Sequence, residues 1–186
     1  LNSTFWVFGI IDQVLQEHMS ADAAFGVLLS FLTSDSTIIS LREVPDASSW
    51  RWALTRLRRH CREHAPERLQ EVVLALEDFG ARSKVDVTED LASLVATATD
   101  MLIAGDLSAE SYEAMVLGGR RLLLDSLTAR EVASLREEAQ VQVVKRAVTC
   151  SYRWLTLSRL SALGSSGTVA AATAWLPYLR FIGQEV

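Results

Sequence analysis

Apolar side chains recur along this chain at intervals of three and four residues, and no segment shows clean alternation bounded by turns. In the first stretch Phe5, Phe8, Ile11, Val14 and Leu15 share one face of a helix over 5–17, with Ser3 or Thr4 able to cap it. Ser20 opens a second helix through Phe25, Leu28, Leu29 and Leu32. Ser34 caps a third, Asp35 to Val44, ahead of Pro45. A turn over 45–49 leads into the most amphipathic segment, Trp50 to about Ala65. Its Trp50, Leu54, Leu57, Cys61 and Ala65 fall on one face.

Pro66 then stands where a first-turn proline belongs, opening a helix over 67–79 that Gly80 is expected to stop. Lys84 to Val87 reads as a connector. Thr88 caps a helix from Glu89 to Ala104, closed by Gly105, and Ser108 caps another from Ala109 to Leu117. Gly118-Gly119 breaks or kinks the chain before Arg120 to Leu127, and Thr128-Ala-Arg-Glu131 is a capping box. A 35-residue helix up to Gly164 would be unusual in a small domain, so a break is expected near Arg136 to Gln140, where the apolar period weakens. A last helix, Thr168 to Ile182, kinks or ends near Pro177. The pattern predicts an all-α fold, an irregular bundle of about seven to nine helices with no sheet.

Composition agrees. With 186 residues, 49% of them hydrophobic and five of them Trp, the chain is long and apolar enough to bury a core as one domain, residues 1–186. Its two cysteines, Cys61 and Cys150, make no disulfide framework and suit a reducing compartment. No basic, signal-like segment opens the chain, and its first residue is not Met, so it reads as cut from a longer protein. The uncharged run Leu160 to Leu179 is interrupted by Gly164-Ser165-Ser166-Gly167 and Pro177, and reads as a buried terminal helix rather than a membrane span.

A net charge of −5 argues against a generic nucleic-acid or membrane binder. The charge is nevertheless in blocks: residues 1–48 carry −5, 49–84 carry +3, 85–128 carry −6 and 129–186 carry +3. In the first basic block Arg51, Arg58 and Arg62, with Arg59 nearby, adjoin the apolar face of one helix. Such a row can hold phosphates, and Trp52 beside it can stack on a base, although a solvated face and a half-buried tryptophan look the same in sequence. Lys145, Arg146, Arg153 and Arg159 form a second basic string interleaved with Tyr152 and Trp154. His60-Cys61-Arg62-Glu63-His64 matches the H-x-x-E-H pattern of inverted zinc peptidases. Two His one turn apart can share a metal, with Glu as base. The crowd of Arg58, Arg59 and Arg62 disfavours a dication, and no third-ligand motif follows. The expectation is therefore two partly exposed histidines on a helix flank, with no metal, no cofactor and no catalytic residue assigned. Arg120-Arg121 follows two glycines without a phosphate-loop pattern, and no nucleophile elbow occurs.

Three stretches carry a family resemblance: Leu1, Trp6-Val7-Phe8, Asp12, Leu15 and Glu17; then Leu91-Ala92 through Ala104-Gly105; then Arg159-Leu160-Ser161-Ala162, a small-residue stretch and Tyr178-Leu179. In this order they resemble the C-terminal domain of the alphaherpesvirus tegument proteins encoded by unique-long gene twenty-one. The chain looks shorter than the family pattern between about 125 and 145. The resemblance implies a non-enzymatic helical domain, the C-terminal part of a longer tegument protein. It would bind another tegument protein, with RNA and the capsid as further partners, in virion assembly, egress and cell-to-cell spread. The places implied are the virion tegument and the host cytoplasm and nucleus. No partner-binding residue carries over by motif. Two other readings stand beside it: a nucleic-acid-binding domain that uses Arg51, Arg58, Arg59 and Arg62, and a zinc-dependent hydrolase built on His60, Glu63 and His64.

Overall fold

The structure is a computed structural model. It describes residues 3–38 and 47–149, and the side chains of 9–38, 49–128, 130–143 and 145–146. Among the described residues every regular element is helical and no strand occurs, so the all-α expectation holds. The chain divides into two compact units, Leu1–Asp86 and Val87–Val186.

The first unit holds α1 (Ser3–His18), α2 (Ala21–Thr33), helical residues 35–38, α3 (Ala47–Glu63), a 3-10 turn (Pro66–Arg68) and α4 (Leu69–Ser83). Ser20 caps α2 through its hydroxyl, which accepts from the Ala23 N–H at 3.2 Å. The face read from the sequence for α3 is the centre of the unit: Trp50, Leu54, Leu57, Cys61 and Ala65 are all buried. α2 and α4 both pack on α3, with Phe25, Leu28 and Leu32 from α2 and Val72, Val73, Leu76 and Phe79 from α4 fully covered. The Trp50 and Phe79 rings meet at 5.2 Å. α3 begins earlier than the turn at 45–49 implied, at Ala47. Arg82, in the last turn of α4, donates to the Thr33 carbonyl at 3.0 Å and to the Asp35 carboxylate, covering the end of α2.

The second unit holds α5 (Thr88–Ala104), α6 (Ala109–Gly118), α7 (Arg121–Ser126), α8 (Ala129–Ala133) and α9 (Glu137–Thr149). α5 packs against α6, α7 and α8, and α9 packs against α6, α7 and α8. The capping box forms, with Glu131 accepting from the Thr128 N–H at 3.0 Å. The expected break falls at Ser134–Arg136, and Glu113 of α6 fixes it. Its buried carboxylate accepts from the Arg136 backbone N–H at 2.9 Å and from the Arg136 guanidinium at 2.8 and 2.9 Å. The bonds from Arg136 hold the Glu113 carboxyl below its ordinary range. Next to it the buried Tyr112 hydroxyl lies 2.9 Å from Thr99 Oγ1 and 3.2 Å from the Glu131 carbonyl. Thr99 Oγ1 also donates to the Val95 carbonyl at 2.9 Å, so the two hydroxyl hydrogens are shared among three contacts.

Four sequence expectations need correction. Gly80 does not stop α4: it is buried inside the helix, which runs three residues further to Ser83 and is capped by Lys84, in the left-handed region at φ 65°. A glycine stops a helix by turning left-handed, and here it is Gly105 that does so, at φ 84°. Thr88 is the first residue of α5 rather than its cap. Ser3 and Thr4 are already helical. Finally, the expected buried face of α1 is only partly buried: Leu15 is covered, but Ile11 and Val14 are exposed, as is Ile10. The side chains of Phe5, Trp6 and Phe8 lie outside the described set. So do residues 39–44 of the helix expected over Asp35 to Val44, together with Cys150, Tyr152, Arg153, Trp154, Arg159, Gly164–Gly167, Tyr178 and the helix expected over 168–182. Among the described residues no helix is long and apolar enough to cross a membrane.

Three substitutions test this packing by urea unfolding. Trp50→Ala removes an indole that is 1% exposed and should cost about 3–5 kcal/mol. A Cβ at Gly119 would collide with the buried Leu123 side chain, so Gly119→Ala should cost about 1–3 kcal/mol. Ile103→Ala, at a position 68% exposed, should change the midpoint by less than about 0.5 kcal/mol. Equal effects at Trp50 and Ile103 would contradict the core described.

Candidate functional site

The most built surface feature of the first unit is a cleft of about 280 Å³ where α1, α2 and α3 converge. Its apolar lining comes from Leu15 and Met19 of the α1 end and from Phe25 and Leu28 of α2. Its polar lining is Asp12, Arg56, Arg59, His60, Glu63 and His64. Asp12 of α1 pairs with Arg56 of α3, the ion pair that ties the first helix to the centre of the unit. Arg59 pairs with Glu63 at 3.1 Å along α3.

His60 is the unusual member. Its side chain is 10% exposed, against 59% for His64, so the two partly exposed histidines expected from the sequence differ sharply in how far they are covered. The cause is register: His60 lies one residue from the buried Cys61, on the flank that α2 covers, and its ring packs on Phe25 at 4.9 Å. His60 Nε2 is buried without a hydrogen-bond partner. The nearest carboxylate oxygen, Asp22 Oδ1, stands off at 3.9 Å and is 3.5 Å from Arg68. Burial and the neighbouring His64 lower the pKa of His60 from its ordinary 6.5. The adjacent Cys61 thiol is pushed up to about 12 by burial, which makes it a packing group rather than a nucleophile.

These positions bear on the H-x-x-E-H pattern. Glu63 is held by Arg59 at 3.1 Å, and His60 Nε2 is buried without a hydrogen-bond partner. Among the described residues no three of His, Cys, Asp and Glu form a group able to hold a metal ion.

The row of arginines divides. Arg51 and Arg62 are exposed and Arg58 half-buried along one strip of α3, while Arg59 lies around the helix at the cleft rim. Arg51 also lies over the Trp50 ring at 5.0 Å, and Trp52 is half-buried. In the second basic string, Arg146 donates to the carbonyls of Leu117 and Gly119, where it satisfies the open end of α6; it is a helix-capping residue. The cleft itself was not legible in the sequence. Its ion pair joins residues 44 positions apart, and the covering of His60 by Phe25 depends on how α2 crosses α3.

Two measurements follow. Elemental analysis of the purified protein should find zinc well below stoichiometric, and chelation should leave the circular dichroism unchanged. Stoichiometric zinc that is lost in His60→Ala or His64→Ala would revive the hydrolase reading. In a Cys150→Ser background, Cys61 should resist alkylation until the chain is unfolded.

No protein-family model matches this chain, and neither does any curated protein or solved structure.

Proposed function

We propose that this chain is a non-enzymatic interaction domain of a viral tegument protein, one that binds another tegument protein during virion assembly and egress. The reading rests on the resemblance to the C-terminal domain of the alphaherpesvirus tegument proteins encoded by unique-long gene twenty-one. The observation that carries it furthest is the exposed apolar strip of α1. Ile10, Ile11 and Val14 are 59%, 37% and 46% exposed, within the stretch that opens the resemblance. Adjacent exposed aliphatic side chains on one helix gain free energy when a partner covers them, roughly 25 cal/mol for each Å² of apolar surface removed from water. A helix flanked by Asp12 and Glu17 would favour a partner face with basic residues at its edge.

The test is capture of tegument proteins from infected-cell lysate with the purified domain as bait, in parallel with an Ile10→Asp, Val14→Asp variant. A single tegument protein recovered by the parent and lost by the variant would support the reading. Equal recovery by both would remove α1 from it, and recovery of no virion protein would sink it.

RNA binding is the second reading, favoured by the strip of Arg51, Arg58 and Arg62. These residues are seven and four positions apart, about 10 and 6 Å along a helix axis, so each stands within about a Debye length of the next at 0.1 M salt. Such binding should be weak, tolerant of sequence and steeply dependent on salt, because it rests on phosphate contacts. Arg58→Glu, Arg62→Glu should abolish it while leaving the melting temperature within a few degrees. Undiminished binding by the double variant would reduce the strip to a solvated face.

A further inference from the structure

A buried imidazole is stable while it is neutral and costly when it is charged, unless a free anion stands within reach. His60 meets the first half of that statement, since its side chain is 10% exposed and its Nε2 is buried without a hydrogen-bond partner. The groups facing it decide the second half. From α2 comes Asp22, whose carboxylate is 3.5 Å from Arg68 and 84% exposed to water. From α3 come Glu63, paired with Arg59, and His64, whose ring lies 5.4 Å from that of His60. From the 3-10 turn comes Arg68, whose guanidinium lies 3.8 Å over Phe25, the ring that also packs on His60. From the α1 side comes Asp12, paired with Arg56. Asp22 Oδ1, 3.9 Å from Nε2, is placed to meet a proton on His60, but it is also 3.5 Å from Arg68 and open to water, so it offsets the burial of that charge only in part. His64 and Arg68 would repel it.

From this arrangement we infer that His60 is an acid-sensitive latch in the first unit: neutral, it seats against Phe25 and holds α2 on α3; protonated, it leaves that seat and the α2–α3 seam opens. The inference is independent of what the domain binds. Opening would uncover Phe25, Leu28 and Cys61, which are 1%, 5% and 0% exposed in the closed form. It therefore couples mild acidification to exposure of apolar surface beside the cleft. The sign is set by the direction of the shift: the folded pKa lies below the ordinary 6.5. Above 6.5 neither form takes up a proton and the seam has its full stability. As the pH falls below 6.5 the open form binds a proton more readily than the closed form, and the seam weakens until the folded pKa is reached. The chain has three histidines, so few groups titrate in this window.

Cys61 reports the opening directly, because it is the next residue and fully buried. In the Cys150→Ser full chain, the rate of reaction with 4,4′-dithiodipyridine is measured at pH 7.5 and pH 5.5. Each rate is divided by that of the denatured chain at the same pH, which removes the ionisation of the thiol. The ratio should rise at pH 5.5, by up to about tenfold for each pH unit below 6.5. In His60→Phe, which keeps a ring without a proton, the ratio should be the same at both pH values, and in His64→Gln the rise should persist. The imidazole resonances of the parent protein provide a check that needs no variant: His60 should titrate below the ordinary 6.5. An unchanged ratio in the parent, an equal rise in His60→Phe, or a His60 midpoint at or above 6.5 would each overturn the latch.

Discussion

The first unit depends on one surface, the apolar face of α3. Trp50, Ala53, Leu54, Leu57 and Cys61 are all buried, and α2, α4 and the 3-10 turn take their places against them. Burial of large aliphatic and aromatic side chains is the dominant favourable term in folding, at roughly 1.5–3 kcal/mol each. A helix with three such positions, Trp50, Leu54 and Leu57, and the smaller Ala53 and Cys61 beside them can thus hold its neighbours without special geometry. The polar features of the unit follow from that packing. Asp12 reaches Arg56 because α1 lies across α3, and Arg82 reaches the end of α2 because α4 does. His60 loses its water because it flanks the face that α2 covers.

The second unit shows a different balance. Two of its helices are short, α7 and α8 of six and five residues, and short helices carry a high proportion of unsatisfied backbone ends. Side chains satisfy them. Glu113 accepts from the N–H at the start of α9, Arg146 donates to carbonyls at the end of α6, and Glu131 closes the capping box of α8. The buried Tyr112 hydroxyl adds a bond to the Glu131 carbonyl. A buried carboxylate such as Glu113 is tolerable because three donor nitrogens of Arg136, in four contacts, and its guanidinium charge replace its water. Its depressed pKa means that this stabilisation is present at neutral pH and is lost as the pH falls below the ordinary carboxylate value of 4.5 toward the folded one.

The sequence was most legible where a single period decided the outcome. The α3 face, the Ser20 and Ser108 caps, the Gly105 stop and the Thr128–Glu131 box were all readable, because each depends on residues within one or two helical turns. Three features were not. Gly80 looks like a stop, but whether a glycine turns left-handed or stays helical depends on packing around it, and Gly80 is buried within α4. The apolar period of α1 is real, but a period says which residues share a face and not whether that face finds a partner. Ile11 and Val14 do not find one sufficient to bury them. The two histidines of the H-x-x-E-H pattern look equivalent in sequence, yet one is covered by Phe25 and the other is exposed.

The fate of the arginines follows the same logic and bears on any functional reading of charge. A guanidinium serves equally well for phosphate, carboxylate and helix-end carbonyl, so a basic string in a sequence leaves its target open. Here Arg56, Arg59, Arg68, Arg82, Arg130 and Arg136 meet carboxylates, and Arg146 meets carbonyls. Each such contact lowers the positive potential that a nucleic acid would feel, even where the net charge of a block is unchanged. The alternation of basic and acidic blocks along the chain is then largely an internal matching, and it accounts for an acidic protein with basic stretches without requiring an anionic ligand for each stretch.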